Sequence, residues 1–502
     1  LAWSISGLTA GWFRRNKMTS QVVPSPTPFA DGDLDSIQGV GIARFKKNHQ
    51  ELIFFTFGST GARRMCARLH PLISSASEVA DFNEDYSEAR RQHGLDPDMR
   101  SLWVGLGISA SGLAKLGVDL GTLPPGPGSD AFVAGMASRA SQIGDVAANT
   151  PTQWLTPFAS KGGVDAVLIA AADDPGALGE KVESLVELIT SNGGQVVFAE
   201  RGATLPGALR GHEHFGFKDG GSQPAILGYD PAPLQNEPPA VPAGEFVVGY
   251  SDAAGNRPAV NEAWRNGSFL IFRRLVQDVA AFQAVAGAGV AGSEPAVAQQ
   301  MLAAKMVGRW PSGAPLEKFP DADPGAGHED NDFQYKATDD GGQTVPTWAH
   351  IRKANPRDET QPAPTTPDDD PVRRRMIRCG IPFGPPFSPD GDPAVERGLH
   401  FLAVVSDVVR QFEFIQSAWM SNVNFPKGSK SGQAGSPYSP PSPDVPGDGP
   451  DPITGEGNTG KSLQYHQALG THPIQLAADL VRVTAGEYFF VPSLATLAGF
   501  GT

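Results

Sequence analysis

Residues 164–200 read VDAVLIAAADDPGALGEKVESLVELITSNGGQVVFAE, and this stretch limits the fold more than any other. The apolar run VDAVLIAAA (164–172) has the length and composition of a buried strand. It stops at Asp173-Asp174-Pro175, where an Asp caps a helix and a Pro fits its first turn. Leu178, Val182, Leu185, Val186 and Ile189 then fall on one face at helical spacing. Gly193-Gly194 stops the helix, and QVVFAE (195–200) is the return strand. A chain with this stretch has to provide a sheet for the two strands and the helix to pack on.

Upstream, ELIFFTF (51–57) and SLWVGLG (101–107) read as strands, with a helical stretch near 74–92 between them. The order is β-α-β, an insert, then β-α-β, which fits a split-βαβ, ferredoxin-like unit. A similar vocabulary returns after the Pro-rich stretch 230–243. EFVVGY (245–250), SFLIFRRL (268–275), HFLAVVSD (400–407) and EYFFVPS (487–493) predict strands. Helices are expected near 277–286 and 294–307, and another through Trp419. The expectation is therefore an α+β chain of two ferredoxin-like domains with antiparallel sheets, divided near 215–245, although no sequence repeat is visible. Two stretches rich in Pro, Gly, Ser and Asp, 355–371 and 421–461, predict irregular surface loops.

The formal charge of −14 over 502 residues argues against a nucleic-acid surface and against a polybasic membrane contact. No run is long and apolar enough to span a membrane. Two cysteines, Cys66 and Cys379, give neither a disulfide framework nor a Cys-rich zinc site, and no Cys-x-x-Cys-His motif is present for c-type haem. Residues 1–17 contain Arg14-Arg15, but the polar MTSQVVPSPTPFADGD that follows lacks the apolar stretch of a twin-arginine signal. Residues 1–33 are expected to be a disordered leader, with a natural start at Met18. A cytoplasmic address is favoured and export stays open.

Three segments offer chemistry, each with a plain alternative. GHEHFGFKDGGSQP (211–224) sets Asp219 in a glycine frame. Asp-Gly is a common turn pair, and a rigidly held catalytic acid would use the same frame. WAHIRKANPR (348–357) follows His350 closely with Arg352, Lys353 and Arg357. An imidazole can ligate haem iron while cations neutralise the propionates; a basic surface turn has the same letters. RRRMIRCGIPFG (373–384) carries Arg378, either on a solvated strand edge or beside a buried anion or developing oxyanion. GLHFL (398–402) and QFEFIQSAWM (411–420) supply large apolar groups suited to lining a planar ligand.

In order and wording these segments resemble the dye-decolorizing peroxidases, which use b-type haem. The resemblance rests on GFKDG (216–220), SFLIFRRLVQD (268–278), AHIRKANPR (349–357), IRCGIPFG (377–384), GLHF (398–401) and GEYFFVPSL (486–494). SIQGVGIARFKKNHQELIFF (36–55) and DAVLIAAADDP (165–175) look like the family's opening strands, so the likeness spans roughly residues 34–495. It implies an N-terminal ferredoxin-like domain over 34–225 and a C-terminal one over 226–502, the latter binding one haem b per chain. The implied activity is a haem peroxidase that reduces hydrogen peroxide and oxidises bulky dyes, phenols or similar one-electron donors.

Carried over residue by residue, the resemblance makes Asp219 the distal acid, Arg378 the distal arginine and His350 the axial iron ligand. Arg352 becomes a haem-propionate partner, and Leu399 and Phe401 wall the peroxide pocket. Asp451, in GPDPITG (449–455), is the candidate acid behind His350. Bulky dyes cannot reach buried haem, so surface Trp310, Tyr335, Trp348 or Trp419 would relay electrons. The acidic, Pro-rich loop between His350 and Arg378 and the long 421–461 segment resemble the larger members of the family. The alternatives are a haem-binding or haem-iron-releasing protein without peroxidase turnover, and a haem-thiolate enzyme using Cys379. The second lacks the upstream Phe and Gly that a thiolate-ligand motif wants. A calcium loop at SPDGDP (388–393) lacks the terminal Glu of the twelve-residue pattern.

Overall fold

The computed structural model describes residues 29–93, 99–233, 237–288, 295–359, 370–426, 449–467 and 470–501. Most of the expected leader, and residues 360–369 and 427–448 of the two expected loops, lie outside the described residues. In chain order the strands are β1 (His49–Thr56), β2 (Leu102–Ile108), β3 (Ala166–Ala172), β4 (Gln195–Ala203), β5 (Ser268–Gln277), β6 (Ile377–Arg378), β7 (Ile381–Phe383), β8 (Gly398–Val405), β9 (Lys461–Gln467), β10 (Gly470–Leu476) and β11 (Val481–Val491).

The first half of the chain behaves as its sequence dictates. Every residue of β3 is buried, as an uninterrupted apolar run requires. The Asp174 side chain accepts a hydrogen bond from the Ala177 N–H at 2.8 Å and caps the helix Pro175–Ser191. That helix buries Leu178, Leu185 and Ile189 and packs on β1, β3 and β4. The strands align in the order β2-β3-β1-β4, all antiparallel.

The second half repeats the arrangement. Its order is β11-β5-β8, followed by β6 and β7, which pair with successive stretches of β8 as one interrupted strand. β11 meets β2 at Phe490↔Ile108, and β4 meets β7 at Gly202↔Phe383. Eight strands thus close a barrel, and each seam between the halves is a single residue pair. Aromatic side chains from both halves fill the barrel. Phe54 packs on Phe272 with ring centroids 4.6 Å apart, and Phe158 and Phe489 close around them.

Three expectations change. EFVVGY (245–250) is not a strand: residues 243–245 form a single turn and the chain then coils. Phe246, Val247, Val248 and Tyr250 are all buried there, and Val248 bonds across to the 266–267 turn instead of joining the sheet. The helix through Trp419 exists, but its turns are widened. Glu413 N–H donates to Val408 O, and Ser421 N–H donates to Gln416 O, each five residues back. Such wide turns are common at functional sites. Finally, the β9–β10 hairpin was not expected; its buried Leu463, Tyr465, Ile474 and Leu476 join a second apolar cluster with Phe217, Phe282 and Trp348.

Candidate active site

The strands of the second half divide their side chains between the barrel interior and an outer cavity. On β8 the buried His400 alternates with the half-buried Leu399 and Phe401. The half-buried pair lines a cavity of about 300 Å³, together with Arg273, Leu275 and Gln277 of β5 and Val481 and Val483 of β11. Sheet alternation therefore makes the floor. Of the walls, one is the loop from Glu213 to Ser222, and another combines His350, Ile351, Ile415, Met420 and Ile453.

Asp219 stands in the first wall. Its N–H donates to Gly211 O at 3.0 Å, and its Oδ1 accepts the Gly220 N–H at 2.6 Å. Oδ2 has no protein donor among the described residues, and the residue is exposed rather than buried. Gly216 and Gly220 have φ of +95° and +78°, and a Cβ on either would meet no protein atom within 4 Å. These glycines are thus required by the left-handed backbone of the turn, not by crowding within the chain. The neighbouring histidines do not line the cavity. His212 is half-buried beside Arg210 O, and the buried His214 bonds Phe383 O at 2.8 Å.

His350 opens the short helix His350–Ala354 in another wall. Its Nδ1 lies 2.8 Å from Oδ2 of the fully buried Asp451. Asp451 is itself held by the Ile453 N–H at 2.8 Å on Oδ1 and the Thr454 hydroxyl at 2.8 Å on Oδ2. Burial alone would lower the His350 pKa, but the charge and hydrogen bond of Asp451 outweigh it and raise it. Burial works in the opposite sense on Asp451, and the imidazole more than offsets it, leaving the carboxyl below its usual range. A carboxylate on Nδ1 fixes the tautomer with Nδ1–H and leaves the Nε2 lone pair for the cavity. The side chain remains 31% exposed on that side.

Arg378 also lines the cavity, with Nη2 donating to Ser222 O at 3.3 Å. Arg375 donates to the same carbonyl at 3.2 Å. Neither has a carboxylate partner among the described residues, unlike Arg273, which is paired with the buried Asp145. Burial lowers the pKa of Arg378, with the Asp219 charge working against the fall. Burial, reinforced by the charges of Arg378 and Arg357, pulls Arg375 down to about 9. Two half-buried guanidiniums that share one carbonyl and form no ion pair among the described residues make a ready anion-binding position.

Arg352 does not join them. It is fully buried away from the cavity, its Nε bonded to Glu359 at 2.7 Å and its Nη1 to Asp339 at 2.9 Å. Its remaining donors go to Val345 O, Asp339 O and the other Glu359 oxygen, so nothing is left for a propionate. The four candidate electron relays also change character. Trp310, Tyr335, Trp348 and Trp419 are all buried, and among the described residues no Trp or Tyr is exposed. Cys379 does not line the cavity, and burial pushes its thiol up to about 12, far from a ready thiolate ligand.

The cavity joins an apolar lining, one imidazole with a free Nε2 and several guanidiniums, of which Arg375 and Arg378 form no ion pair among the described residues. That donor set fits haem b: an axial nitrogen, apolar surroundings for the ring and charge for its carboxylates. The described residues include no helix long and apolar enough to cross a membrane.

Comparison with known proteins agrees with this chemistry. Residues 36–204 match the family described as the DyP dimeric alpha+beta barrel domain. A dye-decolorizing peroxidase of Mycena epipterygia is 31% identical over 93% of this chain and 86% of its own length. The structure of an ancestral D-type dye-decolorizing peroxidase superposes with a TM-score of 0.79 at 30% identity, covering 95% of this chain and all (100%) of that one. A dye-decolorizing peroxidase solved in complex with 2,6-dimethoxyphenol gives 0.75 at 29% identity, over 93% and 99% of the two chains. With the barrel and near-full-length identity in agreement, the chain belongs to the dye-decolorizing peroxidase family.

Proposed function

We propose that this chain is a haem peroxidase that reduces hydrogen peroxide and oxidises dyes, phenols or similar one-electron donors. One haem b per chain occupies the cavity on the outer face of the second half. The repeated strand order supports reading the halves 34–225 and 226–502 as two ferredoxin-like units, with the cofactor on the second. The observation that carries the assignment is that His350, Asp219 and Arg378, distant in sequence, line one cavity.

Haem, when bound, supplies the redox chemistry. The protein supplies position, charge and proton handling. His350 would hold the haem iron through Nε2, and Asp451 fixes the His350 tautomer and makes the imidazole more electron-donating. Arg378 and Arg375 offer positive charge, Arg375 taking the propionate role that Arg352 cannot fill. Asp219 accepts a proton from one peroxide oxygen at its open Oδ2 and returns it to the other, while Gly220 N–H holds Oδ1. Arg378 keeps its proton at any working pH and stabilises negative charge on the departing oxygen. Leu399 and Phe401 limit water and restrict what approaches.

The test is haem reconstitution followed by stopped-flow mixing with peroxide and steady-state oxidation of a small phenol and a dye. Asp219→Asn and Arg378→Leu are expected to keep the haem spectrum while the peroxide rate falls by about 10²–10⁴-fold. A haem-loaded wild type without peroxide-dependent oxidation would overturn the proposal and leave a haem carrier.

A further inference from the structure

Glu213 lies six residues before Asp219 in the same wall, and none of the chemistry above uses it. Its Oε2 accepts the Phe215 N–H at 2.9 Å, and its Oε1 accepts the Phe217 N–H at 2.9 Å. The Gln277 side chain, from the end of β5, donates to Oε2 at 2.5 Å. The backbone closes the same turn: Glu213 N–H donates to Phe217 O, and Gly216 N–H donates to Glu213 O. One carboxylate therefore ties the approach to Asp219 to itself and to the cavity floor.

We infer that Glu213 is a positioning residue that holds the Asp219 loop against β5, so that the Asp219 carboxylate stays over the cavity. The inference rests on the reading of Asp219 as the proton carrier. Burial pushes the Glu213 carboxyl up to about 7 while its three N–H donors pull it down, and the nearby Asp219 charge adds to the rise. The two acids thus share one electrostatic space. A carboxylate suits the role because it has acceptor sites for all three donors. An amide has a single acceptor oxygen, and its NH₂ would face either the Phe217 N–H or the Phe215 N–H and Gln277 pair. Glu213→Gln must leave at least one of these donors opposed by another.

The experiment uses the haem-loaded enzyme carrying Glu213→Gln, Asp219→Asn, both together, and Gln277→Met. The readouts are the stopped-flow peroxide rate, the haem absorption spectrum, the KM for a small phenol, and hydrogen–deuterium exchange of the 211–222 peptide. Glu213→Gln is expected to lower the peroxide rate on the order of tenfold to a hundredfold, as a small misplacement of a reacting group does. The haem spectrum and phenol KM should hold, while amide exchange in 211–222 rises. In the Asp219→Asn background the same change should cost nothing further, because it acts through Asp219. Gln277→Met removes only the tie to β5, so it should raise exchange and slow the reaction less; it stands in if Glu213→Gln does not fold. Wild-type rate and exchange in both Glu213→Gln and Gln277→Met would overturn the inference, as would a Glu213→Gln loss that adds fully to that of Asp219→Asn. An unchanged peroxide rate in Asp219→Asn would instead overturn the parent reading of Asp219, and the positioning role with it.

Discussion

Replacing Asp451 with Asn tests the link between His350 and the acid behind it. Asp451 accepts from His350 Nδ1 and the Thr454 hydroxyl, each at 2.8 Å, and from Thr454 N–H at 3.3 Å, all on Oδ2. Oδ1 accepts from Ile453 N–H at 2.8 Å. Asn offers one oxygen. If that oxygen keeps the Oδ2 place, the NH₂ opposes the Ile453 N–H; the reverse placement opposes His350 and Thr454. The first arrangement is cheaper and still strands a donor in a fully buried place, at about 1–3 kcal/mol. It also turns the charge-assisted bond to His350 into a neutral one, with roughly half the strength. Losing such a partner behind a metal ligand typically costs 10–100-fold in affinity, about 1.4–2.7 kcal/mol. Asp451→Asn should therefore fold, lose about 1–3 kcal/mol in urea denaturation, and release haem to excess apomyoglobin about 10–100 times faster. Haem transfer within about twofold of wild type, from a folded variant, would refute the assignment of Asp451 and weaken that of His350.

Arg352→Met should destabilise the chain by about 3–5 kcal/mol, since it leaves the buried carboxylates of Asp339 and Glu359 without their cation. Denaturation should show this loss, whereas Arg375→Leu should weaken haem binding with a smaller loss of stability. Glu487 is buried, and burial pushes its carboxyl up to about 7. The folded state then holds a proton that the unfolded state releases, so the stability this provides is full below about pH 4 and is lost as pH rises through about 7. Glu487→Gln keeps the acceptor for the Met136 and Tyr488 N–H groups and should flatten stability between about pH 5 and pH 8, gaining at most on the order of 3 kcal/mol at the upper end. Cys379→Ala should leave the reduced carbon-monoxide spectrum of the haem protein unchanged; a shift would revive the thiolate alternative.

The sequence spoke most clearly where burial is uniform. VDAVLIAAA announces β3 because a strand buried on both faces is apolar along its length, and SFLIFRRL announces β5 through the apolar run Phe269–Phe272 that precedes its two arginines. EFVVGY carries the same signal yet coils, because burial and strand pairing are separate properties and its buried groups pack without a ladder. The β9–β10 hairpin was hidden in polar letters, although Leu463 and Tyr465, and Ile474 and Leu476, keep a two-residue period. Within the site, Asp219, His350 and Arg378 could be named from motifs, but their shared cavity needed the fold. The resemblance implies a propionate role for Arg352, but two steps beyond His350 along a helix its side chain turns to the far face, into the Asp339 and Glu359 pair. Arg375 and Glu213 carry no letter pattern of their own. Their roles come from Ser222 and Gln277, partners that only folding supplies.

The two seams of the barrel have a bearing on how such a protein can be inherited. Of the cavity residues, His350, Arg378, Leu399 and Phe401 come from the second half and Asp219 from the first. The sheet of the second half turns Phe272 and Phe489 toward Phe54 and Phe158 of the first half, while strand pairing joins the halves, among the described residues, through one residue pair on each side. The union is held by shared aromatic packing and by side-chain bonds such as Arg273 to Asp145, Arg274 to Glu200 and Arg139 to Glu413, more than by strand pairing. A gene fragment encoding the second half alone would bare that aromatic face together with two strand edges, and would be prone to aggregate. At the aromatic contact, a change of side-chain size in one half therefore has to be answered in the other.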